Sequence, residues 1–145
     1  MREPDLARLL LEAHRAMAEE WVASMAERGY PGSRAGHAAV ALNIDRRAGT
    51  RLTDLAERAR MTKQGMMLLV DDLESRGLVR RIPDPEDARA KIVRLTTRGR
   101  TYVAEARRAL QAVEGRARRG LGDRRYAQVR DALDWLAGSE QEEVE

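Results

Sequence analysis

The feature that most narrows the fold is a change of period near Gly77. Before it, apolar residues recur at helical steps; after it, they alternate. Leu78-Val79-Arg80-Arg81-Ile82 and Lys91-Ile92-Val93-Arg94-Leu95 put successive side chains on opposite faces, the two-residue period of a strand. Pro83-Asp84-Pro85-Glu86-Asp87 between them supplies a turn, so the two runs predict an antiparallel hairpin. Just upstream, Thr53 is placed to cap a brief helix (54–59), and Arg60-Met61 makes a turn. Thr62 caps a longer helix to Arg76, and Gly77 closes it at the C′ position. Two helices so closely spaced form a helix-turn-helix. A hairpin attached directly behind one is the layout of a winged helix.

The flanks are helical. Leu6, Leu9, Leu10, Ala13, Met17, Trp21 and Met25 recur at three- and four-residue steps, with Pro4-Asp5 as a start and Gly29-Tyr30-Pro31-Gly32 as a stop. Ser33 is positioned to cap a second helix carrying Ala38, Val40, Ala41, Leu42 and Ile44 and ending near Gly49. Thr50-Arg51-Leu52 is extended enough for a short strand. Thr96 or Thr97 caps a long helix with Tyr102, Ala106, Ala109, Val113, Ala117 and Leu121 on one stripe; Gly120–Asp123 breaks it. Tyr126, Val129, Leu133 and Leu136 mark a last helix. The acidic stretch 139–145 lacks an apolar anchor and reads as a frayed tail. The fold class is therefore mainly α with a small β-hairpin. Residues 50–96 form the winged helix-turn-helix, 33–49 a linking helix, and 1–30 with 97–138 the terminal helices. A winged core of about fifty residues cannot cover those terminal stripes, so they predict a two-fold homodimer sealed by the terminal helices.

Composition removes several alternatives. The 145 residues contain no cysteine, which excludes disulfides and thiol chemistry. No apolar run exceeds five residues, far short of a bilayer span, and the N-terminus lacks a signal-peptide plan; the expectation is a soluble, cytoplasmic protein. No phosphate-cradling glycine loop, His-Glu-x-x-His or Gly-x-Ser-x-Gly occurs, so an enzyme is not expected. Two histidines without cysteine do not make a metal site, and no cofactor is expected. Of the 27 cations only Lys63 and Lys91 are lysine, and arginine's planar fork suits phosphates and base edges. Between Leu52 and Arg100, eleven cations face eight anions, which equals the whole-chain excess of +3.

The run from Leu52 to Val79 (LTDLAERARMTKQGMMLLVDDLESRGLV) resembles the helix-turn-helix of the MarR family of bacterial transcriptional regulators. Asp84-Pro85-Glu86-Asp87-Ala88-Arg89-Ala90-Lys91 resembles that family's wing, and Leu95-Thr96-Thr97-Arg98-Gly99 the start of its fifth helix. The resemblance implies a dimeric winged-helix binder of double-stranded DNA, usually a repressor, often released by a small aromatic or phenolic effector.

A recognition helix enters the major groove by its N-terminal residues. Here those are Thr62, Lys63, Gln64, Gly65, Met67 and Leu68. Lys63 can meet guanine or phosphate, and Gln64 can read adenine in bidentate fashion. Gly65 allows close backbone approach. Met67 and Leu68 stand at positions where relatives carry Ser or Thr and Arg; they either touch thymine methyls or pack against a neighbouring helix. Met66, Leu69, Val70 and Leu73 read as core, and Asp71, Asp72 and Glu74 as a solvated or salt-bridged face. Arg89 near the hairpin tip can enter a narrow minor groove; the resemblance implies that Asp87 braces it. Arg80 and Lys91 on the strands are phosphate candidates, as are Arg81, Arg94, Arg51, Arg58 and Arg60. The family's effector pocket lies between the terminal helices and the winged domain, which makes His14, Met17, Trp21, Met25 and His37 candidate ligand residues; a Met and Trp stripe at helical spacing is more often a core. The alternative reading keeps the fold but loses DNA binding, leaving a helical dimeric adaptor or ligand-binding protein.

Overall fold

The computed structural model describes residues 3–138; the tail 139–145 lies outside the described residues. Within them, the chain runs α1 (Leu6–Glu27), α2 (Ala35–Asn43), β1 (Thr50–Arg51), α3 (Leu52–Arg58), α4 (Lys63–Ser75), β2 (Val79–Pro83), β3 (Lys91–Leu95), α5 (Thr97–Leu121) and α6 (Asp123–Leu136). It divides at Leu110 into two compact units.

In the first unit the hairpin gains a third strand. The sheet order is β1-β3-β2, all antiparallel, with Val79 opposite Leu95, Arg81 opposite Val93 and Thr50 also opposite Val93. Helix α4 begins and ends by local chemistry. Thr62 Oγ1 accepts the Gly65 N–H at 3.0 Å, the N-cap bond that satisfies an otherwise orphaned donor. At the other end Leu78 N–H reaches Leu73 O (3.0 Å) and Gly77 N–H reaches Glu74 O (2.9 Å), with Gly77 at φ +74°. That is a Schellman closure, which requires the left-handed conformation glycine adopts freely. Met66, Leu69, Val70 and Leu73 of α4 are buried with Leu55 and Ala56 of α3, Val40 and Ala41 of α2, and Val79, Val93 and Leu95 of the sheet. Trp21 and Met25 of α1 join this core, Trp21 Nε1 donating to Ala106 O of α5 at 3.0 Å.

Three local expectations are corrected. Ser33 does not cap α2: its hydroxyl donates to Tyr30 O (3.0 Å) and lies 3.3 Å from Tyr102 Oη. Arg34 is the N-cap residue, and its N–H donates to His37 Nδ1 at 3.0 Å. Helix α2 stops at Asn43 rather than near Gly49 because Asp45 Oδ1 accepts the N–H groups of Arg47 and Ala48, both at 2.8 Å; this side-chain turn competes with further helix. Helix α3 starts at Leu52 without a side-chain cap, leaving Thr53 inside it. Pairing of β1 with β3 and burial of Leu52 set the entry, so tertiary contacts override the local capping signal. At the far end of the sheet Thr96 is the cap of α5, accepting the Gly99 N–H at 3.0 Å.

In the second unit, Tyr126 Oη of α6 donates to Glu114 Oε2 of α5 at 3.0 Å. Arg118 pairs with Asp123 at 2.7 Å and sits 5.8 Å from the Tyr126 ring centroid. Helix α6 buries none of its residues; Val129, Leu133, Trp135 and Leu136 are exposed.

Candidate nucleic-acid interface

The α3–α4 turn sets up one edge of the interface. Arg60 occupies its left-handed position (φ +52°), with Arg60 N–H on Glu57 O and Met61 N–H on Ala56 O. Glycine is the least strained residue in such a closure; here the position carries an exposed cation instead. Thr62, Lys63 and Gln64 follow, all exposed, and Gly65 is half-buried. Met67 is 41% and Leu68 63% exposed, whereas Met66 between this surface and the core is fully buried. Neither Met67 nor Leu68 packs into the core of this chain.

The strand period decides the fate of two adjacent arginines. Arg80 is exposed and stands opposite Arg94 across the β2–β3 ladder; facing like charges destabilise a sheet unless an anion lies between or over them. Arg81 points to the other face, toward α4. There it pairs with Asp71 and, at 2.9 Å, with Glu74, whose second oxygen accepts the Arg81 N–H at 2.9 Å. Arg81 is thus committed within the fold, a change from its reading as a phosphate candidate. Arg51 is likewise engaged, 2.6 Å from the buried Asp84 carboxylate and 3.7 Å from Glu86. Arg58 donates to Asn43 O and Arg94 to Arg47 O, both at 3.1 Å. Sequence reasoning did not single out Asp84. Its one local signal was an acid flanked by prolines in a basic hairpin.

The wing tip is ordered from within. Asp84 N–H and Ala90 O close it at 3.1 Å, Asp84 Oδ1 accepts the Glu86 N–H at 2.9 Å, and Asp87 Oδ1 accepts the Arg89 N–H at 3.0 Å. Asp87 therefore holds the main chain of Arg89, while the Arg89 side chain is exposed. Lys91, at the start of β3, is exposed as well.

The acidic half of α4 is neutralised internally. Asp72 Oδ2 lies 2.7 Å from His37 Nε2, 3.1 Å from Arg76 Nε and 3.7 Å from Arg34. Burial pushes the Asp72 carboxyl up, but the charges of Arg76, His37 and Arg34 outweigh it and hold the group below the ordinary range. Burial lowers the His37 imidazole, with Arg34 and Arg76 reinforcing it and Asp72 opposing.

The five candidate effector residues separate. Trp21, Met25 and His37 lie in the core, Trp21 held by Ala106 O of α5 and His37 beside Asp72 of α4. Met17 is exposed. His14 lines an open apolar groove of about 490 Å³ with Arg15, Ala18, Val22 and Ala26 of α1 and Ala35 of α2. Among the described residues no helix is long and apolar enough to cross a membrane.

A capped helix offering its first turn to solvent, set beside an arginine-tipped hairpin and behind a short tight-turned helix, defines a winged helix-turn-helix. The sequence profile of the MarR family matches residues 23–90. A MarR-family transcriptional regulator from Rhodococcus sp. RHA1 is 26% identical, with a TM-score of 0.74 over 93% of this chain and 98% of that one. CouR from Rhodococcus jostii RHA1, solved with p-coumaroyl-CoA, is 28% identical with a TM-score of 0.74, covering 92% of each chain. The transcriptional repressor CouR on a 23-mer DNA duplex gives 25% identity and a TM-score of 0.80, again over 92% of each chain. A search of proteins with curated functions gives no match. Residues 23–90 thus match the MarR family, and the structural neighbours are transcriptional regulators of that family.

Proposed function

We propose that this protein is a cytoplasmic, ligand-responsive repressor that binds a pseudo-palindromic operator as a homodimer. The observation that carries the reading is the pairing of exposed elements on one unit: the first turn of α4 (Thr62, Lys63, Gln64) with Met67 and Leu68, and the Arg89 wing. Lys63 and Gln64 supply base-edge donors and acceptors, Met67 and Leu68 apolar contact to thymine methyls, and Arg89 a minor-groove cation. Arg80, Lys91 and Arg60 meet phosphates. Gly65 lets the α4 backbone come close, and Asp87 holds the wing tip in register.

Dimerisation rests on apolar residues without cover in this chain. Leu6, Leu9, Leu10 and Leu11 of α1 are exposed, as are Val129, Leu133, Trp135 and Leu136 of α6. A fourteen-residue helix that buries nothing is marginal by propensity alone, and a two-fold partner is the commonest cover. The resulting domain roles are terminal helices for association and residues 50–96 for DNA. Effector release is supported by the p-coumaroyl-CoA held by CouR; in this chain the groove beside His14 offers an apolar wall, with Arg15 and Glu19 at its polar rim, for a small aromatic or phenolic effector.

Selection of duplexes from a random pool by purified protein, with light scattering, tests the proposal. A dimer that enriches two half-sites about 10 bp apart supports it. A stable dimer that enriches no duplex replaces it with the adaptor reading.

A further inference from the structure

We propose that the cleft between the end of α1, the end of α4 and the start of α5 binds the phosphoryl group of a small organic phosphate, with Arg98 as its central cation. Two adjoining cavities of about 180 Å³ and about 290 Å³ open there. Arg98 and Tyr30 line both; Arg76 lines the smaller one, and Arg28 with Thr101 the larger. Three guanidiniums thus reach the cleft, and among the described residues no aspartate or glutamate lines either cavity. None of these residues lines the groove beside His14 or belongs to the first turn of α4 or the wing tip, so the site stands whether or not the protein reads DNA.

The charges around the cleft do not cancel. Arg28 and Arg76 are the C-cap residues of α1 and α4, and an acid holds each: Arg28 Nη1 lies 2.9 Å from Glu105 Oε2, and Arg76 Nε 3.1 Å from Asp72 Oδ2. Arg28 Nε also donates to Ser24 Oγ at 3.2 Å, and Arg76 Nη2 to Gly32 O at 3.0 Å. These contacts fix both forks, yet among the described residues Arg28 Nη2 and Arg76 Nη1 have no hydrogen-bond partner. Arg98 has no acid: among the described residues no hydrogen bond or ion pair engages its guanidinium. A long cation without a partner normally keeps its head in water. Here it lies back over the closing turn of α4, where a Cβ on Gly77 would stand 3.3 Å from Arg98 Nη1. The carbonyls at these helix ends are already taken, Leu73 O by Leu78 N–H at 3.0 Å and Met25 O by Tyr30 N–H at 2.9 Å, so the donors of Arg98 remain for a ligand.

The donor set selects the ligand. The planar fork of Arg98 matches two oxygens of a carboxylate or a phosphate. The other donors come from separate directions, Arg76 from the smaller cavity and Arg28 with Thr101 from the larger, and they call for a third oxygen outside that plane. A tetrahedral phosphoryl group has one; a carboxylate does not. A phosphate monoester also carries about −1.5 to −2 charges at neutral pH, which answers a guanidinium that no acid neutralises. Tyr30 is half-buried and packs edge-on against Tyr102, with ring centroids 4.9 Å apart. Its ring gives both cavities an apolar wall for the organic part of the molecule.

Calorimetry at fixed ionic strength in a phosphate-free buffer tests the site, with phenyl phosphate as probe and benzoate as comparator. Wild type is expected to bind one phenyl phosphate per chain with a Kd of about 1 mM or tighter, and benzoate at least about tenfold more weakly. Arg98→Gln should weaken the phosphate about ten- to hundredfold, the worth of one charge-assisted bond, and Arg98→Lys, which keeps the charge but not the fork, should fall between. Arg100→Gln, exposed two residues further along α5, is expected to bind like wild type. Since Arg98 holds no partner in the fold, its variants should melt with wild type when no ligand is present. Arginine side-chain NMR is the second readout, with the Arg98 signal moving as the probe is added. No binding by wild type, benzoate as tight as phenyl phosphate, or full affinity in Arg98→Gln overturns the site. An equal loss in Arg100→Gln also overturns it, because it marks general attraction to an arginine-rich chain. A probe that moves Lys63 and Arg89 rather than Arg98 overturns it too, while leaving the DNA reading intact.

Discussion

Replacing Gly99 by alanine tests whether backbone crowding or helix propensity governs the joint between the wing and α5. Gly99 lies inside α5, where propensity alone makes alanine about 1 kcal/mol better. The structure argues the reverse. A Cβ at this position would overlap the Leu78 carbonyl oxygen and stand 2.8 Å from its carbon, and the obstacle is backbone, so no rotamer relieves it. That carbonyl accepts the Thr96 N–H at 3.1 Å, and Thr96 Oγ1 also bonds Gly77 O at 2.7 Å. Separating α5 from Leu78 by about 1 Å strains packing by about 1–3 kcal/mol and weakens two or three hydrogen bonds worth about 1 kcal/mol each. Less the propensity gain, Gly99→Ala should destabilise by about 3 kcal/mol, roughly 10 °C in Tm. Urea unfolding at fixed protomer concentration measures it, with Gly120→Ala as control. An alanine methyl at Gly120 would meet no neighbour within 4 Å, so this variant should gain up to about 1 kcal/mol. A Gly99→Ala midpoint equal to or above wild type refutes the reasoning.

Thr62→Ala removes the cap of α4 and should cost about 1 kcal/mol in urea unfolding; no change would remove the significance of the bond to Gly65. Arg89→Ala should weaken binding on many duplexes and lower the log–log salt slope by about 1, while Gln64→Ala relaxes preference at one position; affinities equal to wild type in both would end the assigned roles. Leu133→Glu with Leu136→Glu should halve the mass seen by light scattering, and an unchanged dimer mass would place the association surface elsewhere.

Much of the fold was legible because it is decided within a few residues. Thr62 and Thr96 cap their helices, Gly77 takes the left-handed closure, and the two-residue period of 78–82 and 91–95 makes the hairpin. The exposed first turn of α4 was legible for the same reason: Lys63 and Gln64 directly follow a capping threonine. Arg80 and Arg81 mark the limit. Alternation places them on opposite faces, but only the docking of α4 puts Asp71 and Glu74 beneath Arg81 and leaves Arg80 exposed.

By itself, then, the order of residues determined where helices start and stop, where the chain alternates, and which turn meets solvent, since caps, glycines and periods act over one or two turns. Tertiary structure decided which of many similar arginines stay available, that Ser33 serves Tyr30 and Tyr102 rather than α2, and that His37 is a buried link to Asp72 instead of a groove-lining residue. Those outcomes depend on charges and carbonyls that local sequence does not place, brought within hydrogen-bonding reach of their partners only by packing.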